Sequence, residues 1–144
     1  MRKSPFLAIA LALAFFAAPA LAAERYNLDP MHTQLRFHWN HFGYSNMSAA
    51  FGVLSNSGDK DAKVTAVTTT ITDTAELHET VNGKMSMVKE FTIPAGGSLA
   101  LEPGGKHLML LNLTEPIKPG DKIDFKLTFA DDTEFEFSAT AKDF

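Results

Sequence analysis

Lys122-Ile-Asp-Phe-Lys-Leu-Thr-Phe129 alternates strictly between polar and apolar residues. Ile123, Phe125, Leu127 and Phe129 fall on one side, and Lys122, Asp124, Lys126 and Thr128 on the other. A period of two is the signature of a strand with one buried face. Asp131-Asp132 then gives a turn signal, and Thr133-Glu-Phe-Glu-Phe-Ser-Ala139 alternates again, with Phe135 and Phe137 inward. The two runs predict a β-hairpin. Upstream, residues 63–71 are rich in Val, Thr and Ile, which suits a pleated, half-buried surface. Residues 34–39 place Leu35, Phe37 and Trp39 opposite Gln34, Arg36 and His38. Pro94-Ala-Gly-Gly97, Pro103-Gly-Gly105 and Lys118-Pro-Gly-Asp121 punctuate the rest as turns. No segment after the first two dozen residues reads as a long helix, and there is no repeat, linker or low-complexity tract. Many short strands with regular turns predict an all-β sandwich or Greek-key barrel.

The N-terminus reads differently. Arg2 and Lys3 precede an uncharged apolar run over residues 6–18, and Pro19-Ala20-Leu21-Ala22 puts small residues where signal peptidase reads. This predicts a signal peptide over residues 1–22, cleaved after Ala22, and a single domain over 23–144. The run is short for a membrane anchor, so no span is expected in the mature chain, and the pattern points to the periplasm. Loss of the two leader cations leaves eleven basic against seventeen acidic residues, a formal charge of −6. Nucleic acid, which needs a basic footprint, is a poor partner for such a chain. About 120 residues suffice for one core without disulfides. The absence of cysteine excludes thiolate metal sites, disulfide exchange and cysteine nucleophiles. No Ser–His nucleophile motif is present, the Gly-Gly pairs precede no helix, and Asp131-Asp132 is a turn, so no enzyme is expected.

The residues with chemistry are histidines and methionines. His107 and Met109 stand at i and i+2 in a predicted strand over 106–113 and share a face, with Leu108 and Leu110 on the other. His78 lies in a predicted strand over 75–80, and Met85-Ser86-Met87 repeats the i, i+2 spacing with two thioethers. Asn82-Gly83 before them is a turn signal, so a mobile loop is expected to carry one thioether over the site. Thioether and imidazole, without thiolate or carboxylate, select copper(I) over zinc, magnesium or calcium. A methionine on a strand also serves as core filler, and an isolated histidine as a hydrogen-bonded or exposed side chain. Spacing alone leaves those uses open.

The words Leu54-Ser-Asn-Ser-Gly-Asp-Lys60, Ala75-Glu-Leu-His-Glu79, Gly83-Lys-Met-Ser-Met87, Ile93-Pro-Ala-Gly-Gly97 and Leu101-Glu-Pro-Gly-Gly-Lys-His-Leu-Met109, with the closing strand from Asp121 to Ala130, resemble the periplasmic copper chaperones called PCu(A)C over residues 48–142. That family's His, Met, His-x-Met motif falls on His78, Met87, His107 and Met109. The resemblance implies a cupredoxin-like Greek-key fold, copper(I) as the bound ion, and delivery to a copper-accepting envelope protein such as a cytochrome c oxidase subunit or its assembly factors. Eight positions separate His78 from Met87 and nineteen separate Met87 from His107, each gap two shorter than the family's. An even deletion keeps side chains on their faces, and it leaves both Met85 and Met87 as candidate ligands.

Residues 26–33, Phe37 and 41–45 instead resemble the opening strand of the YceI family, lipocalin-like barrels that bind polyisoprenoids. This marks residues 23–47 as YceI-like, joined to the copper-chaperone-like part near 46–52. The corresponding alternative function is a metal-free binder of a hydrophobic ligand, for which the chain is short. A second metal site among His32, His38 and His41 is disfavoured because Arg36 shares the strand face of His38; His32 and His41 match YceI positions and are assigned local hydrogen bonds.

Overall fold

The computed structural model describes residues 46–142, together with the backbone of the strand Gln34–His38. The leader over 1–22, His32, Trp39 and His41 lie outside the described residues. Among the described residues ten strands run in chain order: β1 Gln34–His38, β2 Ser48–Ser55, β3 Ala62–Thr69, β4 Thr74–Val81, β5 Lys84–Met87, β6 Phe91–Ile93, β7 Ser98–Leu101, β8 Lys106–Leu111, β9 Lys122–Phe129 and β10 Glu134–Thr140. No helix occurs among the described residues, and therefore none there is long and apolar enough to cross a membrane.

Two antiparallel sheets form the sandwich. The larger runs β1-β2-β8-β4-β5, with β7 also on β2, and the smaller runs β10-β9-β3-β6. The expected hairpin is β9–β10, registered from Thr128 against Glu134 to Lys122 against Thr140. Ile123, Phe125, Leu127 and Phe129 of β9 are buried as their alternation predicts. They meet Val64 and Val67 of β3, Phe91 and Ile93 of β6, and Leu54, Leu77, Leu108 and Leu110 from the facing sheet in one core. Phe135 and Phe137 are half-buried against it, because β10 is the outermost strand of its sheet. Asn56 is the large polar side chain in this interior. Its amide donates to the carbonyls of Lys60 and Ile93 and its oxygen accepts from Gly58 N–H, so its burial leaves no orphaned group.

Strand β2 organises the larger sheet. One edge pairs with β1, from Gln34 against Val53 to His38 against Ala49. The other edge pairs first with β8 through Ser48–Ala50 and then with β7 through Gly52–Ser55. Strands β7 and β8 thus lie in succession along one edge, parted by the Glu102-Pro-Gly-Gly105 turn, in which Gly105 N–H donates to the Glu102 carbonyl and Glu102 N–H to the Lys106 carbonyl. This corrects the expected junction near 46–52: those residues open a strand that binds three neighbours.

Candidate metal centre

The β4–β5 hairpin turns through two residues, Asn82 (φ 51°) and Gly83 (φ 74°). Positive φ at both central positions is the type I′ geometry, which Asn-Gly favours because its twist matches that of the strands. The turn fixes the register, so Val81 faces Lys84, Thr80 faces Met85 and His78 faces Met87. On its other side β4 pairs with β8, and His78 faces His107 while Glu76 faces Met109. His78 is therefore the direct cross-strand partner of both His107 and Met87. Residues directly opposite in a ladder share a face, so three candidate ligands form one row across β8, β4 and β5. Met109 stands two residues along β8 from His107, on the same face.

That face points away from the core. Leu77, Leu108 and Leu110 fill the inner face and belong to the core cluster. Met109 is only 8 % exposed yet stands outside that cluster. It does not fill the interior between the sheets. His107 is 3 % exposed, with the ring of Phe51 from β2 at 5.9 Å between centroids. The rings of His78 and His107 lie 5.8 Å apart between centroids, tilted by 58°. One ion bound at about 2 Å to a nitrogen of each ring spans such a separation.

The exposed end of the row is β5. Met87 is 65 % exposed and Met85 53 %. The expected mobile loop here is a short edge strand, and the row is open only at that end, because His107 and Met109 are covered and the methionines of β5 are not. Both thioethers of β5 share the face of the row, but Met87 lies in line with His78 and Met85 one step further toward the turn. Met87→Leu is accordingly expected to weaken copper(I) binding about tenfold or more, and Met85→Leu by less than about threefold, in a competition titration with a coloured chelator. For Met87 the scale is at least that of losing an outer partner of a ligand. Equal effects would give Met85 an equal share.

The imidazoles are held by hydrogen bonds. His107 Nδ1 donates to the Gly105 carbonyl at 3.1 Å, and Thr80 N–H donates to the same oxygen at 3.0 Å. Burial pushes the His107 imidazole below its ordinary range, more than the Gly105 bond raises it, and neighbouring His78 lowers it further. The neutral ring keeps a lone pair for a metal. His78 Nε2 lies 2.7 Å from Glu76 Oε2, and His78 Nδ1 is buried with no hydrogen-bond partner. Glu76 was not legible as a site residue. Its signal was the same i, i+2 spacing that joined His107 to Met109, and it corrects the expectation of a site without a carboxylate nearby. Among the described residues no three His, Asp or Glu side chains converge on a common point. A site here must draw on the methionines.

Known structures share this two-sheet fold. The copper(I)-bound solution structure of DR1885 from Deinococcus radiodurans matches at a TM-score of 0.64 and 28% identity, over 76% of each chain. The copper-bound PCuAC domain from PmoF2 matches at a TM-score of 0.63 over 77% of this chain and 90% of that domain, a likeness of fold at 15% identity. The architecture is thus that of PCuAC domains. The sequence model described as "Putative lipoprotein LpqE-like" matches residues 32–141, and the chain belongs to this LpqE-like family. A relative from Leifsonia xyli subsp. xyli (strain CTCB07), named "Putative lipoprotein Lxx21020", is 40% identical over 111 residues, covering 74% of this chain and 67% of the relative. The PCu(A)C resemblance holds in fold. The YceI resemblance is not supported: one family runs from residue 32 through 46–52 to 141, and β1 is paired to β2 across that region.

Proposed function

We propose that this protein binds one copper(I) ion through His78, Met87, His107 and Met109 and carries it in the cell envelope to a copper-accepting protein. The observation behind this reading is the row in which His78 faces His107 on one side and Met87 on the other, with Met109 beside it. Two neutral imidazoles and two thioethers form a soft donor set, which favours copper(I) over harder ions. The likeness to copper(I)-bound DR1885 supports the same cargo. The recipient in this reading is a cytochrome c oxidase subunit or an assembly factor of that enzyme, and the protein's role is carriage without catalysis. The leader assigned to residues 1–22 and the family's lipoprotein description agree with an envelope location. Within these 144 residues no cysteine is present to hold a thioether-linked lipid.

X-ray absorption at the copper edge of the loaded protein is expected to show nitrogen and sulfur bound to one ion. A shell of nitrogen and oxygen alone overturns the assignment. Met109→Leu provides a second check. Leucine is close to methionine in volume, so the swap should cost less than about 1.5 kcal/mol of stability, while copper(I) affinity falls about tenfold or more with the lost ligand. A collapsed melting temperature with unchanged affinity would return Met109 to a packing role.

A further inference from the structure

Each imidazole of the row is tethered by the residue two places before it, and the two tethers use different ring nitrogens. His107 gives Nδ1–H to the Gly105 carbonyl. His78 meets the Glu76 carboxylate through Nε2. A carbonyl and an ionised carboxylate offer only lone pairs, so the proton must sit on the histidine nitrogen in both contacts. Because β4 and β8 run antiparallel, the i−2 tethers lie on opposite sides of the pair, Glu76 beside Met109 and Gly105 beside Thr80. The nitrogens left over are Nε2 of His107 and Nδ1 of His78. The latter is buried without a partner. Native proteins rarely leave a buried polar atom unsatisfied without a use for it.

We propose that Glu76 is a positioning residue that holds the Nε2–H of His78, so that His78 offers Nδ1 to the copper(I) ion while His107 offers Nε2. The inference rests on the copper reading above and adds to it the donor atoms and a fifth residue. A carboxylate behind a ligating histidine fixes the ring's tautomer and orientation and makes it a better donor. The Glu76 side chain does this without joining the four ligands.

Long-range proton–nitrogen NMR on histidine-labelled protein tests the assignment before any metal is added. The metal-free wild type is expected to carry its His78 proton on Nε2 and its His107 proton on Nδ1. Added copper(I), buffered by a coloured chelator, should then shift the His78 Nδ1 and His107 Nε2 signals. In Glu76→Ala the His78 tautomer should become mixed and copper(I) affinity should fall about 10–100-fold, the usual cost of losing such an outer partner. The His107 tautomer should be unchanged, which a general loosening of the fold would not allow. Glu76→Gln keeps an acceptor oxygen and should restore most of both properties. A His78 proton on Nδ1 in the metal-free wild type, or wild-type affinity in Glu76→Ala, overturns the proposal. Copper(I) bound by all four side chains, with His78 through Nε2, also overturns it and leaves the copper reading standing. A wild type that binds no copper(I) ends both, whatever its tautomers.

Discussion

His78→Ala is expected to lower copper(I) affinity by more than about a hundredfold, beyond the usual cost of losing a residue that merely supports a ligand. His78 stands between the other members of its row, opposite His107 on one strand and Met87 on the next. Without it, Met87 and His107 are two strands apart, about 9.6 Å between backbones at the usual spacing. An ion with bonds a little over 2 Å long is poorly placed to join them across that gap. The site would separate into the His107–Met109 pair on β8 and a lone thioether on β5. The fold should survive, because His78 is on the outer face and its hydrogen bond to Glu76 is worth on the order of 1–3 kcal/mol. Competition titration and a thermal melt on the same sample decide the point. Wild-type affinity in a folded His78→Ala protein would sink the proposed centre.

Phe125→Ala should have the largest effect on stability, a loss of about 3–5 kcal/mol. The side chain is fully buried in β9, a central strand of the smaller sheet, and its ring stacks on Phe137 at 5.4 Å between centroids. Truncation removes apolar contact and leaves a void that the two sheets cannot close without moving backbone. Small domains have only about 5–15 kcal/mol in all, so much of the population would unfold under mild denaturant. Phe137→Ala, at a half-buried position on an outermost strand, should cost distinctly less. Urea unfolding of both variants gives the comparison, and equal losses would mean that β10 is more deeply packed than its burial indicates.

Phe125 and its neighbours were legible because β9 has one wet face and one dry face, the condition under which alternation is visible. Strand β8 was legible in its start but not in its end or its burial: it stops at Leu111, before Asn112 at a φ of 53°, and not at residue 113. His107 and Met109 are covered as well as Leu108 and Leu110, and a strand covered on both faces has no polar side to reveal its depth. Strand β2 was misread. Its Ala49, Ala50 and Gly52 carry little side-chain contrast, and what makes the strand central is pairing with three others, which no local pattern displays. The short strands β6 and β7 went unmarked because three or four residues are too few to show a period.

At the site, sequence supplied residue types and their faces, and register supplied the rest. Two even-length shortenings left open whether Met85 or Met87 faces His78. The two-residue Asn82-Gly83 turn places Met87 there, since each pair in such a hairpin is counted outward from the tip. Glu76 escaped notice for a different reason. A carboxylate on a strand normally reads as a wetted side chain, and only the neighbouring imidazole shows that it has a partner.

The four proposed donors differ greatly in burial: His107 and Met109 are covered, the His78 side chain is 13 % exposed, and Met87 stands largely in the open. For a transported ion this asymmetry orders the events of exchange. The outer sulfur bond is the one that an arriving donor can replace first, while the covered pair on β8 keeps its hold until last. Release would then proceed by stepwise substitution, at a rate that rises with the concentration of the acceptor, and spontaneous loss to water would be slow.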